Sequence, residues 1–406
     1  MNRLRQFLRS LQIGWSIVGV IVALLLILEG MARTYYFIRK RDRSTPVYAP
    51  EGGQYLTDER EFSDIYEELD WSPDYFREKH AANKVNWRSY VYWRKRPFSG
   101  SHINVDDAGI RKTYNPFPKR EDRVKILTFG GSTMWGAGAR DHGTIPSHIA
   151  KELEGLKFRD FHVTNHGEDG YVFTQELISL FLELRRGNTP DIAIFYHGVN
   201  DSDAVGQTGR SGLPLNEANR VREFNIEPTS RDYFREKSKF VLGSINLAER
   251  MRPRPPAPIP PLVSPPVGEP EPSPTEEFLQ IYRNNVRTVQ ALADEFGFEA
   301  FYFWQPRLLS KELISEEERR IIDSFGGEAA TALQSKIYET MKGFDPGEAR
   351  FYDLQRLFDN RPETIYSDAV HIGEDDNRLV AQAIVEQLVN SSERLKRAGA
   401  GPAAER

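Results

Sequence analysis

From residue 124 onward, short apolar runs alternate with stretches of helical periodicity. Val124–Phe129 is apolar, rich in β-formers and ends in Gly-Gly. Ile145–Leu156 reads as a helix, Phe161–Asn165 as a second strand, and Gln175–Arg186 as a helix with apolar positions at Leu177, Ile178, Phe181, Leu182 and Leu184. Asp191–Tyr196 is a third strand. Its apolar middle fits a strand covered on both faces. Phe278–Phe296 is a helix, Phe298–Trp304 a fourth strand, Phe351–Leu354 a fifth, and Leu379–Val389 a closing helix. Such alternation predicts an α/β sandwich around a mostly parallel sheet.

Outside this block the pattern changes. Leu11–Leu28 is apolar and about long enough to span a bilayer, which takes roughly 17–25 residues. Arg3, Arg5 and Arg9 precede it, and Glu29 and Arg33 follow where a cleavage site of small residues would stand. The segment reads as an uncleaved signal anchor. Basic residues flank both ends, so charge alone does not orient it. Large domains translocate largely regardless of charge. The expectation is a single-pass protein of the cell membrane, with the amino terminus cytoplasmic and the large domain outside. Residues 1–43 then form the anchor and its flanks. Residues 44–122 form an extension whose Trp71, Trp87, Tyr90, Tyr92 and Trp93 suggest packing on the main domain. Residues 123–390 are the main domain and 391–406 a flexible tail. Eleven prolines between Pro253 and Pro274 mark an insertion over 252–275 that favours extended polyproline II and reads as a spacer. Leu213–Leu247, before it, reads as partly helical.

The 406 residues are 39% hydrophobic and 12% aromatic, enough for a sizeable core. The net charge of −5 gives no basic field for nucleic acid. Cysteine is absent, which excludes disulfides, thiolate metal sites and a cysteine nucleophile. The glycines after the first strand do not make a phosphate loop. Ala137 and Gly138 stand where a Walker A motif needs Lys and Ser or Thr, and Asp141 replaces the third glycine of a dinucleotide fingerprint. His142, His148, His162, His166 and His197 match no metal-ligand spacing.

Four separated segments carry candidate chemistry: Gly130-Gly131-Ser132-Thr133, Asn165–Gly170, Gly198-Val199-Asn200-Asp201 and Asp368-Ala369-Val370-His371. Ser132 lies where ligands bind in parallel sheets, beyond the carboxyl end of a strand. On its own it fits a helix N-cap better than a nucleophile. His371 could take its proton, with Asp368 fixing the imidazole tautomer. The pair alone reads equally as a metal ligand or a helix start. Gly170 could offer a backbone N–H and Asn200 a side-chain amide to an oxyanion, joined by the Ser132 N–H. By themselves Asn200-Asp201 read as a turn and Gly167 and Gly170 as a loose loop. His166 and His197, beside these segments, could shape a pocket. Trp135, Tyr171 and Phe173 fit an acyl or sugar pocket and the core equally.

Together the four segments resemble the conserved blocks of the SGNH (GDSL-like) hydrolase family over about residues 124–390. Ser132 falls in a GGST version of the first block, Gly170 at the second-block glycine, Asn200 in the G-x-N-D block, and Asp368 with His371 in the D-x-x-H block. Gly131 stands where many members have Asp, and the proline-rich insertion is outside the core pattern. The resemblance implies a three-layer α/β/α, flavodoxin-like fold with no metal or organic cofactor. It implies an acyl-serine mechanism with Ser132, Asp368 and His371 catalytic and with Ser132, Gly170 and Asn200 forming the oxyanion hole. The implied substrate is an O-acyl ester, and the membrane-anchored layout points to an envelope glycan or lipid. Rival readings are an O-acyltransferase using the same triad, a non-catalytic envelope assembly protein, and a metal-dependent phosphoesterase.

Overall fold

Residues 2–42, 63–224, 272–324 and 331–399 are described by the structure, a computed structural model. The chain divides into two units: residues 1–51 with 218–258, and residues 52–217 with 259–406. In the first unit, helix α1 (Asn2–Asp42) contains a stretch, Gln12–Thr34, long and apolar enough to cross a membrane. Leu24, Leu26 and Ile27 on it are exposed.

The second unit begins with α2 (Asp64–Glu67) and α3 (Ser72–Ala82). An antiparallel hairpin of β1 (Val85–Arg88) and β2 (Tyr92–Lys95) follows, then a short antiparallel pair, β3 (Phe98–Ser99) and β4 (Asn104–Val105). Tyr66, Tyr75 and Phe76 from α2 and α3 pack with Trp135 in one cluster. Trp87 and Tyr90, expected to pack, are 71% and 67% exposed. Residues 44–62 lie outside the described residues.

The main domain runs β5 (Val124–Gly130), α4 (Ser132–Trp135), α5 (Ile145–Gly155), β6 (Phe161–Asn165), α6 (Phe173–Arg185), β7 (Ile192–His197) and α7 (Val199–Thr208). Helix α8 (Glu217–Phe224) precedes the proline-rich stretch, whose residues 252–271 lie outside the described ones, as do 225–247. The chain continues with α9 (Pro274–Phe296), β8 (Glu299–Trp304), α10 (Glu316–Ser324), α11 (Ala332–Met341), β9 (Arg350–Asp353), α12 (Glu374–Ser391) and α13 (Glu393–Gly399).

Five strands pair in parallel in the order β6-β5-β7-β8-β9. Numbered within the sheet this is 2-1-3-4-5, the flavodoxin-like order. Successive residues of each strand point to opposite faces. Ile126, Ile192, Ile194, Phe301 and Phe303 pack with α5 and α12. Leu127, Phe129, Phe195, Tyr302 and Trp304 pack with α6, α9 and α11. The result is the three-layer α/β/α sandwich that the alternation predicts. All six residues of β7 are buried, which is why that strand has no polar face.

Two helices start earlier than their apolar spacing indicates. Helix α9 begins at Pro274, not Phe278, because Ser273 and Glu276 form a reciprocal cap: Glu276 N donates to Ser273 Oγ (3.3 Å) and Ser273 N to Glu276 Oε2 (2.8 Å). Helix α12 begins at Glu374, with Glu374, Asp375 and Asp376 in its first turn, where the helix dipole favours acids. The expected flexible tail from 391 needs correction. Residues 393–399 form α13, Leu395 is fully buried, and its N–H is capped by Ser392 Oγ at 3.1 Å.

Candidate active site

Ser132 opens α4 immediately after β5, at the carboxyl edge of the sheet. Asp368 and His371 come from the segment before α12. The structure makes their separation a tight turn. Asp368 Oδ1 accepts the backbone N–H groups of Val370 (2.8 Å) and His371 (2.7 Å), while Ser367 N donates to His371 O (2.9 Å). This leaves Asp368 Oδ2 beside His371 Nδ1 at 2.6 Å, and His371 Nε2 beside Ser132 Oγ at 2.7 Å. A carboxylate only accepts, so Nδ1 carries the proton and Nε2 faces the hydroxyl as acceptor. The His371 side chain is 15% exposed and that of Asp368 31%, so the relay lies in reach of a ligand.

Three donors face the possibilities named from the sequence. As the first residue of α4, Ser132 has an N–H with no intrahelical acceptor. The Gly170 N–H has no protein acceptor among the described residues, and Gly170 adopts φ 77°, a conformation that favours glycine. Asn200, in the first turn of α7, donates one Nδ2 proton to Tyr171 O (2.8 Å) and keeps a second. Asn200 also accounts for Gly131. A Cβ at 131 would stand 2.3 Å from Asn200 Nδ2, so only glycine lets that amide cross beside Ser132.

The loop from His166 to Tyr171 is tied down from two sides. Glu168 N donates to Gly130 O (3.0 Å), and Gly167 N to Asn165 Oδ1 (2.9 Å). The β1–β2 hairpin grips the other side, through Trp93, Arg94 and Lys95. Trp93 is marked in the sequence only as one of the extension's packing aromatics, and Arg94 and Lys95 do not stand out. The signal available for the two cations is charge matching, since adjacent Glu168 and Asp169 need cations once the loop is buried.

Of the residues left between pocket and core, Trp135, Tyr171 and Phe173 are core: each is at most 1% exposed. Trp135 lies under three cations, with Lys79 and Arg111 4.2 Å and Lys95 4.9 Å from its ring centre. His166 and His197 are buried. His197 Nδ1 meets Glu176 Oε2 and its Nε2 meets the Tyr282 hydroxyl, both at 2.8 Å. Burial raises the Glu176 pKa well above the usual carboxylate range and lowers that of His197 to about 4. The trio is a buried hydrogen-bonded strut at the end of β7. Asp203, on α7, is pushed up to about 6 by burial, with Arg307 opposing and Asp368 adding to the shift.

Among the described residues, no group of three or more His, Asp or Glu side chains could hold a metal ion. A scan against protein-family models finds no match, and no curated protein matches the chain. Solved structures similar to it include the acetylxylan esterase Axe2 of Geobacillus stearothermophilus, at 15% identity and TM-score 0.33, covering 65% of this chain and 93% of that one. The acetyl xylan esterase AlAXEase is similar at 14% identity and TM-score 0.33, over 66% of this chain and 100% of that one. A lipolytic protein of the G-D-S-L family from Desulfitobacterium hafniense DCB-2 is similar at 10% identity and TM-score 0.35, over 66% and 100%. At these values the likeness does not bear on activity.

Proposed function

We propose that the protein is a membrane-anchored serine esterase of the SGNH (GDSL-like) type, acting on an O-acyl ester. The observation that supports this is the unbroken Asp368–His371–Ser132 relay, with contacts of 2.6 and 2.7 Å across residues 239 apart in the chain. In this reading His371 Nε2 takes the Ser132 proton as Oγ attacks the acyl carbon. Asp368 stabilises the imidazolium that forms. The carbonyl oxygen becomes an oxyanion, which receives the N–H groups of Ser132 and Gly170 and the Asn200 amide. As the tetrahedral species collapses, His371 returns its proton to the departing alcohol. Water then repeats the sequence on the acyl-serine and frees the acid.

The experiment is release of acetate from a p-nitrophenyl ester, with labelling by a fluorophosphonate. Ser132→Ala should abolish both. A fully active alanine variant, or wild-type protein that never labels, refutes the assignment. Appearance of acylated product when a glycan acceptor is supplied would make the enzyme an acyltransferase with the same residues.

The apolar stretch Gln12–Thr34 supports anchoring. We place the catalytic unit outside the cytoplasm, against an O-acylated glycan or lipid of the envelope. The chain has no cysteine, so Arg287→Cys on exposed α9 surface makes a unique reporter. Labelling of intact cells by an impermeant maleimide is expected; labelling only after lysis would reverse the topology.

A further inference from the structure

Gly170 can serve an oxyanion only if its N–H is held in place, and the sandwich holds only one side of its loop, through Gly130 and Asn165, while the hydrogen bonds on the other side come from the preceding segment. Trp93 Nε1 donates to Asp169 O, the carbonyl of the peptide that carries the Gly170 N–H, at 2.8 Å. Fixing that carbonyl fixes the N–H on the same rigid peptide plane. Lys95 acts on the two residues before it. Its N–H donates to Glu168 Oε2 (2.8 Å) and its ammonium to Asp169 Oδ2 (2.6 Å), with Lys79 on the same oxygen at 3.3 Å. Arg94 donates to His166 O at 2.9 Å. Tyr171, at the far end of the loop, donates its hydroxyl to Trp93 O, while its own carbonyl accepts the Asn200 amide. The hairpin therefore reaches two of the three oxyanion donors.

The electrostatics agree. Glu168 is fully buried and Lys95 is 2% exposed, so neither charge is answered by bulk water. Burial raises the Glu168 pKa, and Lys95 and Arg94 oppose that rise. Removing the hairpin would take Lys95 and Arg94, the cations that oppose the cost of burying Glu168, away from a fully buried carboxyl, which favours opening of the loop.

We propose that Trp93 and Lys95, in the segment before the sandwich, are positioning residues for the oxyanion loop, so that the hairpin is a working part of the active site. This rests on the esterase reading above. Neither residue is assigned contact with the reacting atoms; they act through the Asp169–Gly170 peptide.

The test uses the full-length protein in detergent micelles. Trp93→Phe keeps an aromatic ring and removes the indole N–H. Lys95→Met keeps the stem and removes the charge. Both should lower kcat by about ten-fold, because a loosened donor misses the transition state, with KM changed less than two-fold. Amide exchange over 166–171 should quicken, while β7 and α12 keep wild-type protection. Quickened exchange throughout the sheet would report general destabilisation and overturn a positioning role. So would unchanged exchange in the loop, or faster loop exchange with wild-type kcat. If Lys95→Met does not fold, Trp93→Phe decides. If wild-type protein shows no Ser132-dependent turnover, the esterase reading has failed, and the exchange measurement alone upholds or overturns the anchoring.

Discussion

Replacing Asp368 by Asn changes one atom, yet the local hydrogen bonds give that atom a determined fate. Asp368 Oδ1 accepts two backbone N–H groups, from Val370 at 2.8 Å and His371 at 2.7 Å. An asparagine has one oxygen. Turned to satisfy both N–H donors, it presents its NH2 to His371 Nδ1. Turned the other way, it sets its NH2 against two N–H groups and leaves both without a partner, at about 1–3 kcal/mol each. The first orientation wins by roughly 2–6 kcal/mol on those donors alone. It forces Nδ1 to accept, so the ring proton moves to Nε2 and points at Ser132 Oγ. A base that already carries a proton on the working nitrogen cannot take another. The expected loss in kcat is about 10⁴-fold, the scale seen when a serine-protease triad is locked in the wrong tautomer. The assay is ester release under saturating substrate, with the thermal midpoint measured alongside. That midpoint should hold, because the two backbone bonds survive. Asp368→Ala should be no worse than Asp368→Asn, although alanine is the larger truncation. An asparagine variant retaining a tenth of wild-type kcat, or clearly outperforming the alanine variant, would refute this account of the turn.

Gly131→Ala should cost about 10²-fold in kcat, because its Cβ would force the Asn200 amide back from 2.3 Å to at least 3.0 Å and spoil one oxyanion donor. Stability should barely change, since φ −81° suits alanine and the unfolded chain loses entropy worth about 0.4–1 kcal/mol; near-wild-type kcat would count against Asn200 as a donor. His148 on α5 has its pKa lowered to about 4, chiefly by burial and then by Lys151. Its folded pKa lies below the unfolded value near 6.5, so wild-type stability should fall relative to His148→Gln as pH drops from 6.5 through 4. Parallel denaturant midpoints for the two proteins across that window would show that His148 titrates normally.

The sheet was readable because strands covered on both faces admit almost no polar residue. Ile192–His197 and Ala300–Trp304 announce themselves for that reason. Helix ends were less readable from periodicity. The starts of α9 and α12 are set by capping and dipole interactions, which leave no apolar stripe. The helix α13 was missed because one buried leucine, Leu395, among charged residues makes no pattern.

By itself the sequence determined the α/β layering, the apolar stretch near the amino terminus and the identity of the candidate groups, since each is a property of local composition or short spacing. It left Ser132 open between cap and nucleophile, and Asp368–His371 open between a catalytic pair, a metal ligand and a helix start. Tertiary structure adds what no local reading holds: an imidazole 239 residues away lies 2.7 Å from the Ser132 hydroxyl, the geometry on which the proposed nucleophile rests. It also decided why residue 131 is glycine and what the β1–β2 hairpin holds. Both depend on contacts between side chains and backbone far apart in the chain, and no local pattern encodes such contacts.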